Sequence, residues 1–386
     1  MKKTLILAVI AAIAAGCCGN TDNIQVVPYP ENVKVCAGTC DLAGASVIAD
    51  EALCPAAQAY IRNFASDLAA TSGTEGRTSV RFELNPELAH EAYTLNISRK
   101  GAVIAASDLN GVVYGVQTLK QLLPVQIYSR TAAPEASWAV PCVKISDAPR
   151  FAYRGMELDC GRHFWSVDEI KRCLDIMGTL KLNRFHWHLT EDQGWRAEIK
   201  KYPMLTEIGA WRSGTMEGYY DGPSDNIRYG GYYTQDEMRD VVAYAANLGI
   251  TIVPEVDLPG HMLAALASYP QLGCTGGPYE VWWHWGVHPD VLCLGKESTY
   301  TFLEDVLGEL ADIFPGEYFH IGGDEAPETR WHDCPDCQAK VAELGLKSDS
   351  KASAERRLQN YVTKRMQDFL ATKGKKIIGW EEILEG

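Results

Sequence analysis

Asp324 and Glu325 stand side by side after the run Tyr318-Phe-His-Ile-Gly-Gly323. Apolar and aromatic residues ending in two glycines predict a buried strand reaching its carboxyl end. Glycines there let another backbone or a ligand come close, and in parallel α/β folds the chemistry gathers at that end. Two carboxylates at such a place fit a general acid with a charge-stabilising partner, the division of labour of glycoside hydrolysis. They also fit a solvated acidic loop that opens the next helix. Adjacent acids approach from one strand end, so they are ill placed to act as acid and nucleophile on opposite faces of a sugar ring. A 2-acetamido sugar removes that difficulty, because its own carbonyl oxygen can attack the anomeric carbon. Glu325 would then protonate the leaving oxygen, and Asp324 would orient and polarise the acetamido N–H.

Other chemistry-bearing residues follow apolar runs in the same way. Arg162 closes Asp159-Cys-Gly-Arg162, and its guanidinium suits vicinal hydroxyls or a carboxylate as well as a structural ion pair. His261 ends Asp257-Leu-Pro-Gly-His261 at a tight turn, as a site residue or a buried structural histidine. Trp380 ends Lys376-Ile-Ile-Gly-Trp380, as a pocket wall for an acetyl methyl or as core. His186 and His188 share one face of a strand at i, i+2, a spacing that metal hydrolases use and that a packed strand also tolerates.

The elements that position these residues alternate. Strands are predicted over Tyr153–Asp159, Asn183–Thr190, Ile250–Asp257, Glu317–Ile321 and Lys376–Trp380. Helices follow Ser166-Val-Asp-Glu169 and Thr234-Gln-Asp-Glu237, both capping boxes, and cover Thr301–Phe314 and Ser353–Lys373, the last closed by Gly374. Alternating β and α with apolar strands predicts a parallel sheet covered by helices. Every strand ends in charged groups, which favours a (β/α)₈ barrel, whose strand ends converge on one mouth, over a doubly wound sheet. No glycine-rich phosphate fingerprint follows any strand. Five of eight βα units fit before Gly386, so the sequence is expected to be a piece of a longer chain, inactive as it stands. Upstream, strands over Val80–Leu84 and Ala92–Ile97 and helices over Cys54–Ala70 and Gly111–Leu123 predict a small α+β domain, with Tyr128–Pro141 as a boundary loop. The expected layout is a leader over 1–16, a tether over 17–25, the α+β domain over 26–148 and an incomplete catalytic barrel over 149–386.

Composition bounds the function. A net charge of −14 argues against a nucleic-acid partner and against a polybasic membrane contact. Lys2 and Lys3 precede an apolar run, Leu5–Ala15, that is too short to span a bilayer. It ends in Ala-Ala-Gly-Cys17, which resembles a bacterial lipoprotein signal with Cys17 as the lipidated residue; an ordinary secretory leader is the alternative. Both predict export, to the periplasm or outer membrane. Twelve cysteines fit an oxidising compartment, with Cys36/Cys40, Cys274/Cys293 and Cys334/Cys337 as candidate pairs. Cys334-Pro-Asp-Cys337 alone lacks the second ligand pair of a structural zinc site, so a local disulfide or inert thiols are expected there and no metal is assigned.

Arg162-His163, His186-Trp-His-Leu-Thr-Glu-Asp-Gln-Gly-Trp-Arg196, Val253-Pro-Glu-Val-Asp-Leu-Pro-Gly-His261, His320-Ile-Gly-Gly-Asp-Glu325 and Gly379-Trp-Glu-Glu-Ile383 together resemble the β-N-acetylhexosaminidases of glycoside hydrolase family 20. The resemblance runs from about Val26 to the end and includes an N-terminal α+β domain. It implies a retaining, cofactor-free reaction through an oxazolinium intermediate on terminal N-acetylhexosamines of glycans or chito-oligosaccharides. Glu325 matches the acid/base, Asp324 its acetamido partner, Arg162 the arginine that holds ring hydroxyls, His261 the histidine near the acid/base, and Trp380 one wall of the acetamido pocket. Where the family often has Asp-Asp, this chain has Glu191-Asp192, so Glu191 must reach with one extra methylene. The family's later strands supply a tyrosine, an acid and further tryptophan walls that would lie beyond Gly386. Rival readings are a disaccharide-releasing member, a metal hydrolase on His186 and His188, and a surface glycan-binding lipoprotein without activity.

Overall fold

The computed structural model describes residues 24–74, 76–129, 131–218 and 222–385. The expected leader, most of the expected tether and Cys17 lie outside them. The chain divides into two units. One comprises the chain up to Arg154 with residues 175–183 and 247–249; the other comprises 155–174, 184–246 and 250 onward.

Among its described residues, the first unit has a six-stranded mixed sheet and two α-helices. Its strands are β1 (Asn32–Asp41), β2 (Ser46–Ala49), β3 (Ser79–Leu84), β4 (Tyr93–Ser98), β5 (Gly101–Ala106) and β6 (Ala139–Asp147), in the order β1-β6-β4-β5-β3-β2. Helix α1 (Pro55–Ser72) buries Ala57, Ile61, Phe64 and Leu68, an i, i+4, i+7, i+11 stripe, and Phe64 meets Phe82 of β3 edge-on. Helix α2 (Leu109–Leu122) is capped by Asp108, whose carboxylate accepts the Gly111 N–H at 2.8 Å. The sequence reading found β3 and β4 and missed β1, β2, β5 and β6. Tyr128–Pro141 is not the boundary loop expected: β6 begins inside it and runs antiparallel to both β1 and β4, so the sheet closes only at Asp147. Pro141 fits because it pairs with Thr39 where the β1 register slips between Val35 and Thr39.

In the second unit, β7 (Gly155–Asp159), β8 (Arg184–His188), β9 (Thr251–Glu255), β10 (Tyr318–His320) and β11 (Lys376–Ile378) form a parallel sheet in sequential order. This is the strand order of a (β/α)₈ barrel and excludes a doubly wound sheet, whose order reverses at a switch point. Helices α3 (Val167–Thr179) and α4 (Gln235–Asn247) open on the two capping boxes. Ser166 N–H donates to Glu169 at 2.8 Å and Glu169 N–H back to Ser166 at 3.4 Å; Thr234 and Glu237 repeat the exchange at 2.8 and 3.2 Å. A short helix, α5 (Leu263–Ser268), precedes α6 (Glu297–Ile313), α7 (Pro335–Glu343) and α8 (Ala354–Thr372).

Register fixes which residues meet. Asp159, His188, Glu255, His320 and Ile378 lie opposite one another in a single row across all five strands. Because strand side chains alternate, the neighbours Phe185 and Trp187 take the other face, where Trp187 packs on Tyr233 and on Phe314 after α6. Apolar residues therefore cover one face of the sheet while ionisable residues occupy the other at its carboxyl ends.

All ten cysteines among the described residues are unbonded to one another. None of the pairs Cys36/Cys40, Cys274/Cys293 and Cys334/Cys337 is a disulfide. Cys36 lies within the slip in β1 and Cys40 just after it, and their thiols turn to different carbonyls, those of Lys34 and Asp41.

Candidate active site

The row of strand-end residues is organised by Glu255, whose side chain is fully buried. His186 Nε2 lies 2.6 Å from one carboxylate oxygen, His320 Nδ1 lies 2.9 Å from the other, and the Trp380 indole donates to it at 3.1 Å. His188 Nδ1 is 3.6 Å away. Burial alone would raise the Glu255 pKa, but the charge of His188 and the bonds from His186 and His320 hold it well below the carboxylate range. His188 shows the complementary effect. Burial opposes its charge, yet Glu255 and a contact to Glu157 push it up to about 10. The His186 and His188 rings stand 6.4 Å apart by their centroids, and their nitrogens group with different residues, His186 with Glu255 and His320 and His188 with Glu191 and Asp257, so the two histidines do not converge on one ion. Trp380 thus joins the network through its indole N–H while its ring stands edge-on to His320.

A second layer links the ends of β7 and β8. Arg162 spans Asp159 (2.7 Å) and Glu191 (2.6 Å), with a quarter of its side chain exposed. It is therefore an ion-pair partner that still reaches solvent. Burial opposes the Arg162 charge, but Glu191 and Asp159 raise its pKa. The longer Glu191 is accommodated: it reaches Arg162 with one oxygen and His261 Nδ1 at 3.2 Å with the other. The absence of a side chain at Gly161 leaves room for its stem, since a Cβ there would stand 2.7 Å from Glu191 Cβ.

His261 connects this layer to the carboxylate pair. Its Nδ1 lies 3.2 Å from both Glu191 and Asp192, and its Nε2 lies 3.7 Å from Asp324 and 3.4 Å from Glu325. Burial opposes the charge, but Asp192 and Glu191 raise its pKa to about 12. Asp192 also accepts the Leu263 N–H at 2.9 Å, tying the imidazole to the start of α5. His261 and Glu325 both hold positive φ, 49° and 45°. Such conformations cost about 1–3 kcal/mol each and cluster at functional sites.

Beneath the pair lies Asp257, fully buried, accepting the Gly323 N–H at 2.9 Å. Gly322 must lack a side chain here, because a Cβ would fall 1.8 Å from the Asp257 carboxylate. Burial first, and the neighbouring Asp324 second, raise the Asp257 pKa well above the usual range. Asp324 keeps one buried oxygen, Oδ1, without a hydrogen-bond partner, and Glu325 is half exposed beside it. The structure thus brings Arg162, Glu191, His261, Asp324 and Glu325 together directly, and Trp380 through Glu255. The sequence reading counted Glu255 and Asp257 among the charged strand ends but gave no role to them or to His320. Their signal was charge at alternate positions in strands otherwise apolar.

The chain is similar to known proteins in sequence and in fold. Residues 151–386 match the profile described as glycosyl hydrolase family 20, catalytic domain, and residues 23–148 match glycosyl hydrolase family 20, domain 2. The chain is similar to a beta-hexosaminidase of Porphyromonas gingivalis, at 48% identity over 78% of this chain and 36% of that protein. It is 37% identical to a beta-hexosaminidase of Vibrio furnissii over 94% of this chain and 58% of that one. Among solved structures, an exo beta-N-acetylglucosaminidase of Vibrio harveyi in complex with N-acetylglucosamine superposes with a TM-score of 0.78, at 37% identity over 94% of this chain and 55% of that chain. A beta-N-acetylhexosaminidase of Bacteroides fragilis superposes with a TM-score of 0.76, at 35% identity over 93% and 67%. The chain spans about half the length of the curated relatives it matches. With both profiles matched in order over nearly all of its residues, the chain belongs to glycoside hydrolase family 20.

Proposed function

We propose that the protein carrying this chain is an exo-acting β-N-acetylhexosaminidase that releases terminal β-linked N-acetylglucosamine or N-acetylgalactosamine with retention. The observation that carries the proposal is the unpartnered, buried Oδ1 of Asp324 next to the half-exposed Glu325. A buried acceptor without a donor is costly, and an acetamido N–H supplies one. Asp324 then accepts that N–H, which draws the acetamido carbonyl oxygen onto the anomeric carbon. Glu325 gives its proton to the leaving oxygen as the glycosidic bond breaks. The resulting oxazolinium carries a positive charge that Asp324 balances. Glu325, now a carboxylate, takes a proton from water as that water opens the ring, which restores both residues and the configuration. Arg162, a quarter exposed at the rim, faces the sugar hydroxyls. The ligand in the Vibrio harveyi structure supports the same substrate class.

Hydrolysis of an aryl β-N-acetylglucosaminide, followed by NMR of the first-formed sugar, tests this. Release of the β-anomer, with tight inhibition by a thiazoline analogue of the intermediate, is expected. A covalent sugar trapped on any carboxylate of the chain would refute substrate assistance. The leader and Cys17 support an exported, lipid-anchored protein acting on surface or periplasmic glycans. Fatty-acid labelling that survives Cys17→Ser would remove that part.

A further inference from the structure

Four cysteines far apart in sequence converge on one point. Cys274 follows α5, Cys293 precedes α6, and Cys334 and Cys337 flank the start of α7. Their sulfurs all lie within 4.8 Å of one another. Cys293 Sγ is 3.7 Å from Cys334 Sγ and 3.6 Å from Cys337 Sγ, and Cys274 Sγ is 3.9 Å from Cys337 Sγ. A tetrahedral zinc ion with Zn–S bonds of about 2.3 Å sets its sulfurs about 3.8 Å apart. A disulfide needs about 2.05 Å, so the sulfurs match the edges of a tetrahedron and not a covalent pair. Cys293, Cys334 and Cys337 are buried and Cys274 is half-buried.

Two local features suit the site. Gly295, two residues after Cys293, packs directly on the other pair: a Cβ there would lie 2.1 Å from the backbone carbon of Asp336. Cys337 sits in the first turn of α7, where the helix dipole favours negative charge.

We propose that Cys274, Cys293, Cys334 and Cys337 bind a single Zn²⁺ ion as a structural tetrathiolate site. On binding, the four S–H protons pass to solvent and four Zn–S bonds form, leaving the cluster with a double negative charge. The ion ties the loop after α5 to the segment after Glu325. The link reaches the active site through Leu292, whose N–H donates to the Pro259 carbonyl at 3.1 Å, two residues before His261. The Trp331 indole, from the segment that follows Glu325, donates to the Leu292 carbonyl at 2.8 Å. The proposal needs no assumption about the reaction.

The test is metal analysis of the full protein purified without added reductant or chelator. A single zinc per chain is expected, released when an organomercurial titrates the thiols. Cobalt substitution should give thiolate-to-cobalt charge transfer and the visible bands of a tetrahedral site. Cys337→Ser and Cys274→Ser should lose zinc and melt at lower temperature, while Cys173→Ser, distant in sequence from the four, should keep it. Should the serine variants fail to fold, the cobalt spectrum of the unmodified protein still decides. Peptide mapping that finds these cysteines joined as two disulfides, a preparation with iron or no metal, or a cobalt spectrum without thiolate bands would overturn the proposal.

Discussion

His261 Nε2 lies 3.4 Å from Glu325 Oε2, so the half-exposed carboxylate at the rim rests against a buried imidazolium. The charge of that imidazolium is fixed from behind by Glu191 and Asp192. The charge beside Glu325 is therefore held by two residues that follow a different strand, β8.

Replacing Glu325 by Gln removes the transferable proton and keeps the shape. General acid catalysis is worth roughly 10²–10⁴-fold. Turnover of glycans and alkyl glycosides should fall by that order, and turnover of activated aryl glycosides much less. Equal losses on both substrate types would take Glu325 out of the acid role.

Asp324→Asn exchanges a carboxylate acceptor for an amide and removes the charge that balances an oxazolinium. Hydrogen bonds to charged groups contribute about 1.5–3 kcal/mol, so a thiazoline inhibitor should bind some ten- to a hundredfold more weakly. Unchanged affinity by calorimetry would show that Asp324 does not face the acetamido group.

Glu255→Gln leaves the protonated His188 buried without its main counter-charge. Breaking a buried ion pair from one side costs about 3–5 kcal/mol. Urea unfolding should show a loss of that size, with a change in the emission of Trp380, whose indole donates to Glu255. A loss no larger than that of a surface Glu→Gln control would contradict the hub.

Glu91 gives the first unit an acid-labile point. Burial would raise its pKa, but Arg154 at 2.9 Å and the amides of Asn183 and Asn110 outweigh burial and hold it at about 2 instead of 4.5. A depressed carboxylate stabilises above its unfolded pKa and loses that contribution as pH falls through the folded one. The window is therefore pH 4.5 down to 2, and the span is about 3 kcal/mol. Glu91→Gln should be less stable at pH 7 and should flatten the pH dependence in that window. A wild-type slope in the variant would assign acid sensitivity elsewhere.

How much of this was readable from sequence depended on how local the signal was. The five strands and their helices were legible because capping boxes, apolar runs and glycine stops are all local. Asp324, Glu325, His261 and Arg162 were legible because each ends such a run. The row that sets Glu255 between His188 and His320 was not, because register is a property of the assembled sheet. Strand β1 was lost because it is mostly exposed and carries little periodic apolar signal; β6 was lost because Pro141 reads as a loop. Cys334-Pro-Asp-Cys337 looked like half a site because its partners, Cys274 and Cys293, arrive by folding rather than by spacing.

The slip between Val35 and Thr39 has a consequence for solubility. Strand β1 is an end strand of its sheet and the longest strand in it, and a long, straight, unpaired edge is a template for pairing with a second molecule. The irregularity interrupts the ladder near its middle and increases the local twist. Among the described residues the slip leaves two short regular runs on β1, Asn32–Val35 and Thr39–Asp41, and so shortens the template that a second strand could use.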